Sequence, residues 1–254
     1  MKMFDLSGKV AIVTGGNGGI GLGMAEGLAQ AGASIVIAAR NKDKNSAAAQ
    51  RLAALGVKAI ALQVDVTKKQ DWERLVNETL GTFGRVDILV NNAGITLRKA
   101  PEAYTLEEWH HVVDTNMTSA FIGSQAVYPE MKKVGGGKII NTASLTSILA
   151  APFNAPYVAS KGGMLQLTRA LVTSWAKDNI QVNAILPGWI DTDLSKGARR
   201  DMPTLDERVR SRAPAGRWGR PEDFAGIAVL LASPASGYIT GTAMVVDGGY
   251  SIML

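Results

Sequence analysis

The stretch that most limits what this chain can become lies near its start, where Lys9-Val-Ala-Ile-Val-Thr14 runs straight into Gly15-Gly-Asn-Gly-Gly-Ile-Gly21. A β-branched apolar run reads as a buried strand, and Leu22, Met24, Ala25, Leu28 and Ala29 then recur at helical spacing. Strand, glycine turn and helix in that order open a βαβ unit. Glycines at such a turn let backbone N–H groups approach a phosphate at the helix N-terminus, where the dipole favours anions. They can be read as Gly16-x-Gly18-x-x-Gly21 or as Thr14-Gly15-x-x-x-Gly19-x-Gly21, and either match alone is weak.

The same rhythm continues downstream. Strands are expected over 34–39, 58–64, 86–90 and 138–144, with helices over 42–55 and 68–83 and another from Pro156 onward. Alternation of this kind predicts a parallel sheet with helices on both faces and right-handed crossovers. No linker, low-complexity tract or second core interrupts the 254 residues, and 46% hydrophobic content supplies a core, so the expected fold class is α/β, one doubly wound domain. No apolar run approaches the roughly 18 residues of a membrane span, and the first nine residues lack a signal-like apolar segment, which makes the cytoplasm the default location.

Charge and composition remove other classes. With no cysteine there are no disulfides or thiolate metal sites, and His110 and His111 are adjacent rather than four apart, so a metal is not expected. The net charge of +5 sits wholly between Lys196 and Arg220, where eight basic residues face three acids. The remainder is balanced, which argues against a broad nucleic-acid-binding face.

The end of the second strand reads Ala39-Arg40. An acid there would accept from the ribose hydroxyls of NAD, whereas an arginine suits the 2′-phosphate of NADP, so NADP(H) is the expected cofactor. Further on, Tyr157 and Lys161 lie four apart on an expected helix and share a face, with Ser144 ending the strand before it. A phenol with a reference pKa of about 10 is a poor proton donor or acceptor at neutral pH; an ammonium beside it is expected to lower that value. Alone, the spacing fits a surface pair on an amphipathic helix better than a catalytic pair, because so short a motif recurs by accident.

Taken together, Thr14-Gly15-x-x-x-Gly19-x-Gly21, Asp65, Asn91-Asn-Ala-Gly94, Asn116, Ser144, Tyr157-x-x-x-Lys161, Pro187-Gly188 and Thr192 resemble the short-chain dehydrogenase/reductase family in order and spacing, over essentially the whole chain. The resemblance implies a seven-stranded Rossmann-like sheet and a homotetramer built on the helix holding Tyr157 and a preceding helix over about 105–133. It implies a catalytic set of Asn116, Ser144, Tyr157 and Lys161, with Asn116 kinking its helix and holding a water that links Lys161 to solvent. It also implies a dinucleotide site at the strand ends: Gly15, Asn17, Gly18, Gly19, Ile20 and Gly21 in the first turn, then Arg40. Asp65, Val66 and Asn91 belong to the adenine and ribose side, followed by Asn92, Ala93 and Gly94. Pro187, Gly188, Ile190 and Thr192 lie towards the nicotinamide.

Within the family, the segments around Arg98, Pro214–Gly219 and Val246–Tyr250 resemble the gluconate 5-dehydrogenase and 2-deoxygluconate 3-dehydrogenase branch, which implies a small polar ketone or alcohol as substrate. Arg98 is a candidate for a substrate carboxylate, with Leu145, Asn154 and Trp189 as further contacts. Leu145, Ile148, Leu149, Phe153, Trp189 and Leu194 are expected to line an apolar pocket, and residues 189–219 to form a flexible basic lid. Two alternatives remain open: a 3-oxoacyl-carrier-protein reductase whose acidic partner docks on the basic segment, and a non-enzymatic NADP sensor. Neither histidine is placed to make Ser144 a hydrolase nucleophile, and no G-x-S-x-G surrounds it.

Overall fold

The structure, a computed structural model, describes residues 2–253. Seven strands form one parallel sheet: β1 (Val10–Thr14), β2 (Ser34–Ala39), β3 (Ala59–Gln63), β4 (Ile88–Asn91), β5 (Gly137–Thr142), β6 (Ile180–Pro187) and β7 (Ala243–Val246). Their spatial order is 3-2-1-4-5-6-7, so the chain reverses direction of travel between β1 and β4. The five residues of β1 and the eight of β6 are all buried, which is why the sequence shows continuous apolar runs rather than alternation.

Helices α1 (Gly19–Gln30), α2 (Lys42–Ala53) and α9 (Ala225–Ala232) cover one face, with Leu28, Leu52 and Leu231 against Ile35 and Ile37. The other face carries α3 (Lys69–Phe83), α5 (Ser119–Lys133) and α6 (Ala155–Trp175), with Trp72, Val127 and Leu171 against Val36 and Val182. Trp72 is fixed at both ends: its indole N–H donates to Val66 O at 2.8 Å, and its ring fills the space a side chain on Gly123 would need. The cleft-edge residue Val66 is thereby held by the core.

The helix expected over 105–133 is interrupted. It comprises α4 (Leu106–Val113), a π-helical turn (Asp114–Thr118) and α5, so Asn116 sits on a local bulge as the expected kink requires. The 189–219 segment also differs from expectation. Rather than a loop, it contains α7 (Asp193–Asp201) and α8 (Leu205–Arg212), whose Ala198, Leu205, Val209 and Trp218 make a small core of their own. Its two ends are tied at the base, where Gly219 N donates to Trp189 O and Asp191 N to Gly219 O, both at 2.9 Å. Among the described residues, no helix is long and apolar enough to cross a membrane.

Candidate active site

A cleft of about 1160 Å3 opens beyond the carboxyl ends of the strands, around the switch between β1 and β4. The first turn forms its floor. Gly15 (φ 62°) and Gly19 (φ 52°) occupy the left-handed region, and a β-carbon on Gly21 would come within 2.4 Å of Asn92 Nδ2. Gly18 is extended, a conformation any residue adopts, so the backbone selects the Gly15–Gly19–Gly21 reading of the motif. No side chain caps α1 at Gly18, and no atom lies within 4 Å of where a Gly18 side chain would begin. The first-turn N–H groups of α1 therefore face the bare space an anionic pyrophosphate needs, and the turn fits a dinucleotide.

Side chains lock this floor in place. Thr14 Oγ1 accepts from Asn92 N at 3.0 Å and Ala93 N at 3.1 Å, joining β1 to the turn after β4. Asn17 donates to Asn45 Oδ1 at 2.7 Å, and the buried Asn45 amide donates to Ala39 O (2.8 Å) and Leu62 O (3.0 Å). Asn45 thus ties the glycine turn to the ends of β2 and β3, a role no sequence motif announced. Arg40 stands exposed at the rim. Burial alone would push the Asp65 carboxyl up, yet hydrogen bonds from Thr67 and the charges of Lys68 and Arg40 hold it below its usual range. Arg40 and Asp65 therefore share one electrostatic neighbourhood.

The candidate chemical groups converge on the opposite side of that floor. Ser144 follows β5 in extended backbone, 8% exposed, and its Oγ accepts from Thr146 N at 3.1 Å. Pro156 in the first turn of α6 brings Tyr157 to the cleft, and Lys161 lies one turn on, 3% exposed. Lys161 Nζ donates to Thr142 O at 2.6 Å and stands 5.7 Å from the centre of the Tyr157 ring. The expected lowering of the tyrosine pKa by this lysine is not what the geometry produces. Burial pushes the Tyr157 phenol up, with the Ser144 hydroxyl working against it, and burial pushes Lys161 down to about 8. The ammonium spends its bond on a carbonyl and lies over the ring, and the desolvation that weakens its own charge also disfavours a phenolate.

Of the residues assigned to the site, three lie behind the cleft. Asn91 faces β5 and α5, donating to Asn141 Oδ1 at 2.9 Å. Gly21 is packed under Asn92. Asn116 is fully buried; it accepts from Ile95 N at 2.8 Å and donates to Ile95 O and Ser160 Oγ, each at 3.0 Å. It lies on the same side of Gly94 as Lys161, because a β-carbon there would meet Asn116 Oδ1 at 3.2 Å and Lys161 Nζ at 3.6 Å. The others, from Ile20, Ala93 and Gly94 to Pro187, Gly188, Ile190 and Thr192, line the cleft, as do Arg98, Leu145, Asn154 and Trp189. Asn154 Oδ1 is occupied by Thr96 Oγ1 at 2.9 Å. Ile148 and Phe153 do not join the apolar lining; both are more than half exposed, and Phe153 takes a left-handed backbone (φ 59°) just before α6.

The chain has relatives over nearly its full length. A family profile described as Enoyl-(Acyl carrier protein) reductase matches residues 15–251. A short-chain type dehydrogenase/reductase from Mycobacterium marinum superposes with a TM-score of 0.93 at 37% identity, covering 98% of each chain. The chain belongs to the short-chain dehydrogenase/reductase family. Among its relatives in that family is the 2-dehydro-3-deoxy-D-gluconate 5-dehydrogenase of Dickeya dadantii, 41% identical over 251 residues and 98% of each chain. A gluconate 5-dehydrogenase from Burkholderia cenocepacia, solved in complex with NADP and tartrate, is 39% identical with a TM-score of 0.94, covering 100% of this chain and 99% of that one.

Half of the basic residues of the 196–220 segment are paired with acids. Lys196 bonds Asp193 (2.7 Å), Arg199 bonds Asp191 (2.7 Å), Arg210 bonds Asp206 (2.8 Å) and Arg217 bonds Asp223 (2.6 Å). Arg199 also stacks 3.8 Å from the centre of the Trp218 ring. Two of these pairs use acids that precede the segment and one an acid that follows it. Arg98 meets Asp201 of α7 at 3.7 Å across the cleft.

Proposed function

We propose that this protein is an NADP(H)-preferring oxidoreductase that interconverts a ketone and a secondary alcohol on a small polar substrate, a sugar acid or related polyol. The observation carrying the reading is the convergence of Ser144, Tyr157 and Lys161 in the one cleft whose other end presents an uncapped helix N-terminus and Arg40. Arg40 would hold the 2′-phosphate, the α1 N-terminus the pyrophosphate, Asp65 and Val66 the adenosine end, and Thr192 with the backbone at Ile190 the nicotinamide amide. When bound, the nicotinamide supplies or accepts the hydride.

The residues do the rest. Ser144 donates a hydrogen bond to the substrate oxygen, and Tyr157 gives that oxygen a proton during reduction. A phenol kept protonated by burial suits this direction. Lys161 binds the ribose and passes protons on, and Asn116 positions the turn at Ile95 rather than touching substrate. Arg98 takes a substrate carboxylate, and residues 189–219 act as a lid closing over it. The relatives named for gluconate and its keto-deoxy derivative, and the neighbour solved with NADP and tartrate, support this choice of substrate and nucleotide. A cytoplasmic homotetramer through α5 and α6 belongs to the same proposal, supported by Phe121 standing 45% exposed on α5; light scattering after gel filtration tests the assembly.

The decisive experiment is a panel of keto acids, polyols, neutral ketones and β-ketoacyl thioesters with NADPH and NADH. Keto acids with NADPH are expected to give the highest kcat/KM, and Arg40→Asp should weaken NADPH relative to NADH by about 2–4 kcal/mol. Preference of the unmodified enzyme for NADH would overturn the nucleotide assignment. Turnover confined to acyl thioesters would make it an acyl-carrier-protein reductase.

A further inference from the structure

Two arginines meet at one sulfur. Arg98, in the segment after β4, holds a guanidinium nitrogen 3.7 Å from Met202 Sδ, and Arg208 of α8 holds one 3.9 Å from the same atom. Met202 follows α7 at the bend into α8, and all three side chains line the cleft. A thioether is a weak acceptor, whereas a guanidinium is a forked, strong donor, so the sulfur leaves most of the bonding capacity of both groups unmet.

Counter-charge is sparse at this point. Asp201 reaches Arg98 at 3.7 Å, and no carboxylate among the described residues pairs with Arg208. The contrast with Lys196, Arg199, Arg210 and Arg217, each bonded to an acid at 2.6–2.8 Å, is local and sharp. Like charges drawn together without neutralisation repel. Because both nitrogens point at one atom, a single carboxylate in place of the sulfur would meet both at ordinary charge-assisted distances of about 2.8 Å. Methionine is flexible enough to swing aside.

We propose that Arg98 and Arg208 together form the carboxylate site of the substrate, with Met202 as its displaceable occupant. The inference rests on the sugar-acid reading and extends it: Arg98 alone is not the site, and the second prong comes from the 192–218 excursion. Binding a carboxylate draws α8 towards the segment after β4, so an anionic substrate closes the cleft over itself. A neutral ketone of equal size lacks that handle. Arg208 is in this sense a specificity-determining residue, remote from the proton-transfer groups.

The test uses the full chain with NADP bound. Tartrate, a non-reacting dicarboxylate, is titrated by calorimetry, and initial rates are measured on a keto acid and a neutral ketone of the same carbon number. Arg208→Gln is expected to weaken tartrate about tenfold and to raise the keto-acid KM by a similar factor while kcat changes little, so that discrimination against the neutral ketone falls about tenfold. Arg208→Lys should keep part of the affinity, and Met202→Leu should leave tartrate binding equal or tighter. Equal losses on charged and neutral substrates, or undiminished tartrate affinity in Arg208→Gln, would overturn the proposal. If the unmodified enzyme turns over no keto acid, the sugar-acid reading fails by itself, and the tartrate titration still decides the anion site.

Discussion

The cofactor wall of the cleft and the 192–218 excursion that faces it are held by different kinds of bond. On the cofactor wall, Thr14, Asn45, Asn92 and Lys161 are mostly buried, and each bonds backbone groups of a different strand end. On the excursion, the bonds are mainly exposed ion pairs such as Lys196–Asp193, around a core of four buried side chains. Buried hydrogen bonds are costly to leave unmade, whereas exposed pairs contribute little. The bonds of the first wall are buried or part-buried, and those of the second are largely exposed to solvent. In the function proposed above, chemistry that needs position would sit on the first, and recognition that needs adjustment on the second.

The sharpest way to test this division is at its chemical end. Tyr157→Phe keeps the ring and its packing but removes the transferable proton. Turnover should fall by roughly 10²-fold to 10⁴-fold with NADPH affinity nearly intact. Retention of more than about a tenth of kcat on a good substrate would remove Tyr157 as the acid.

Next in size is a purely structural change on the same wall. Asn45→Ala removes the side-chain donor to Leu62 O and to Ala39 O, which keeps only Val64 N, and leaves Asn17 without its acceptor. Chemical unfolding should register a loss of about 2–3 kcal/mol, with weaker dinucleotide binding. A neutral result would mean that the glycine turn holds itself.

An effect of comparable size should appear in the pH dependence of stability without cofactor. Burial depresses both Lys161 and Lys138 to about 8 in the folded chain, from 10.5. Below pH 8 both are charged in either state, and their burial costs stability. Between about pH 8 and 10 the unfolded chain binds more protons, so stability should rise with pH, by at most about 1.4 kcal/mol per pH unit for each lysine. Above pH 10 the raised Tyr157 works in the opposite sense. Lys161→Met should lessen the rise; an unchanged slope would show that Lys161 is not desolvated.

The smallest change belongs to the excursion. Asp193→Asn removes two exposed partners, Lys44 at 3.2 Å and Lys196 at 2.7 Å, and should leave the unfolding midpoint unmoved. Limited proteolysis within 192–218 should nevertheless quicken. A clear drop in global stability would contradict the small contribution assigned to the exposed pairs of this wall.

The sequence by itself determined the sheet, the glycine turn and the identity of the candidate chemical groups. Those features are local: β-branched runs make buried strands, positive-φ positions demand glycine, and a spacing of four puts Tyr157 and Lys161 on one helix face. The π-turn at Asn116 was foreshadowed only through family resemblance, since nothing in Asp114–Thr118 encodes a bulge by composition. Tertiary structure alone decided what each group is next to. It sent Asn91 and Asn116 behind the cleft, turned the 189–219 segment into two helices, and gave about half of its basic residues to nearby acids. It also reversed the expected electrostatics of Tyr157, because a lysine four residues away is a neighbour in sequence while desolvation depends on everything packed around both. Asn45 and the meeting of Arg98 with Met202 were illegible for the same reason: the partners come from strand ends, or from a segment more than a hundred residues away, and only the folded chain brings those together.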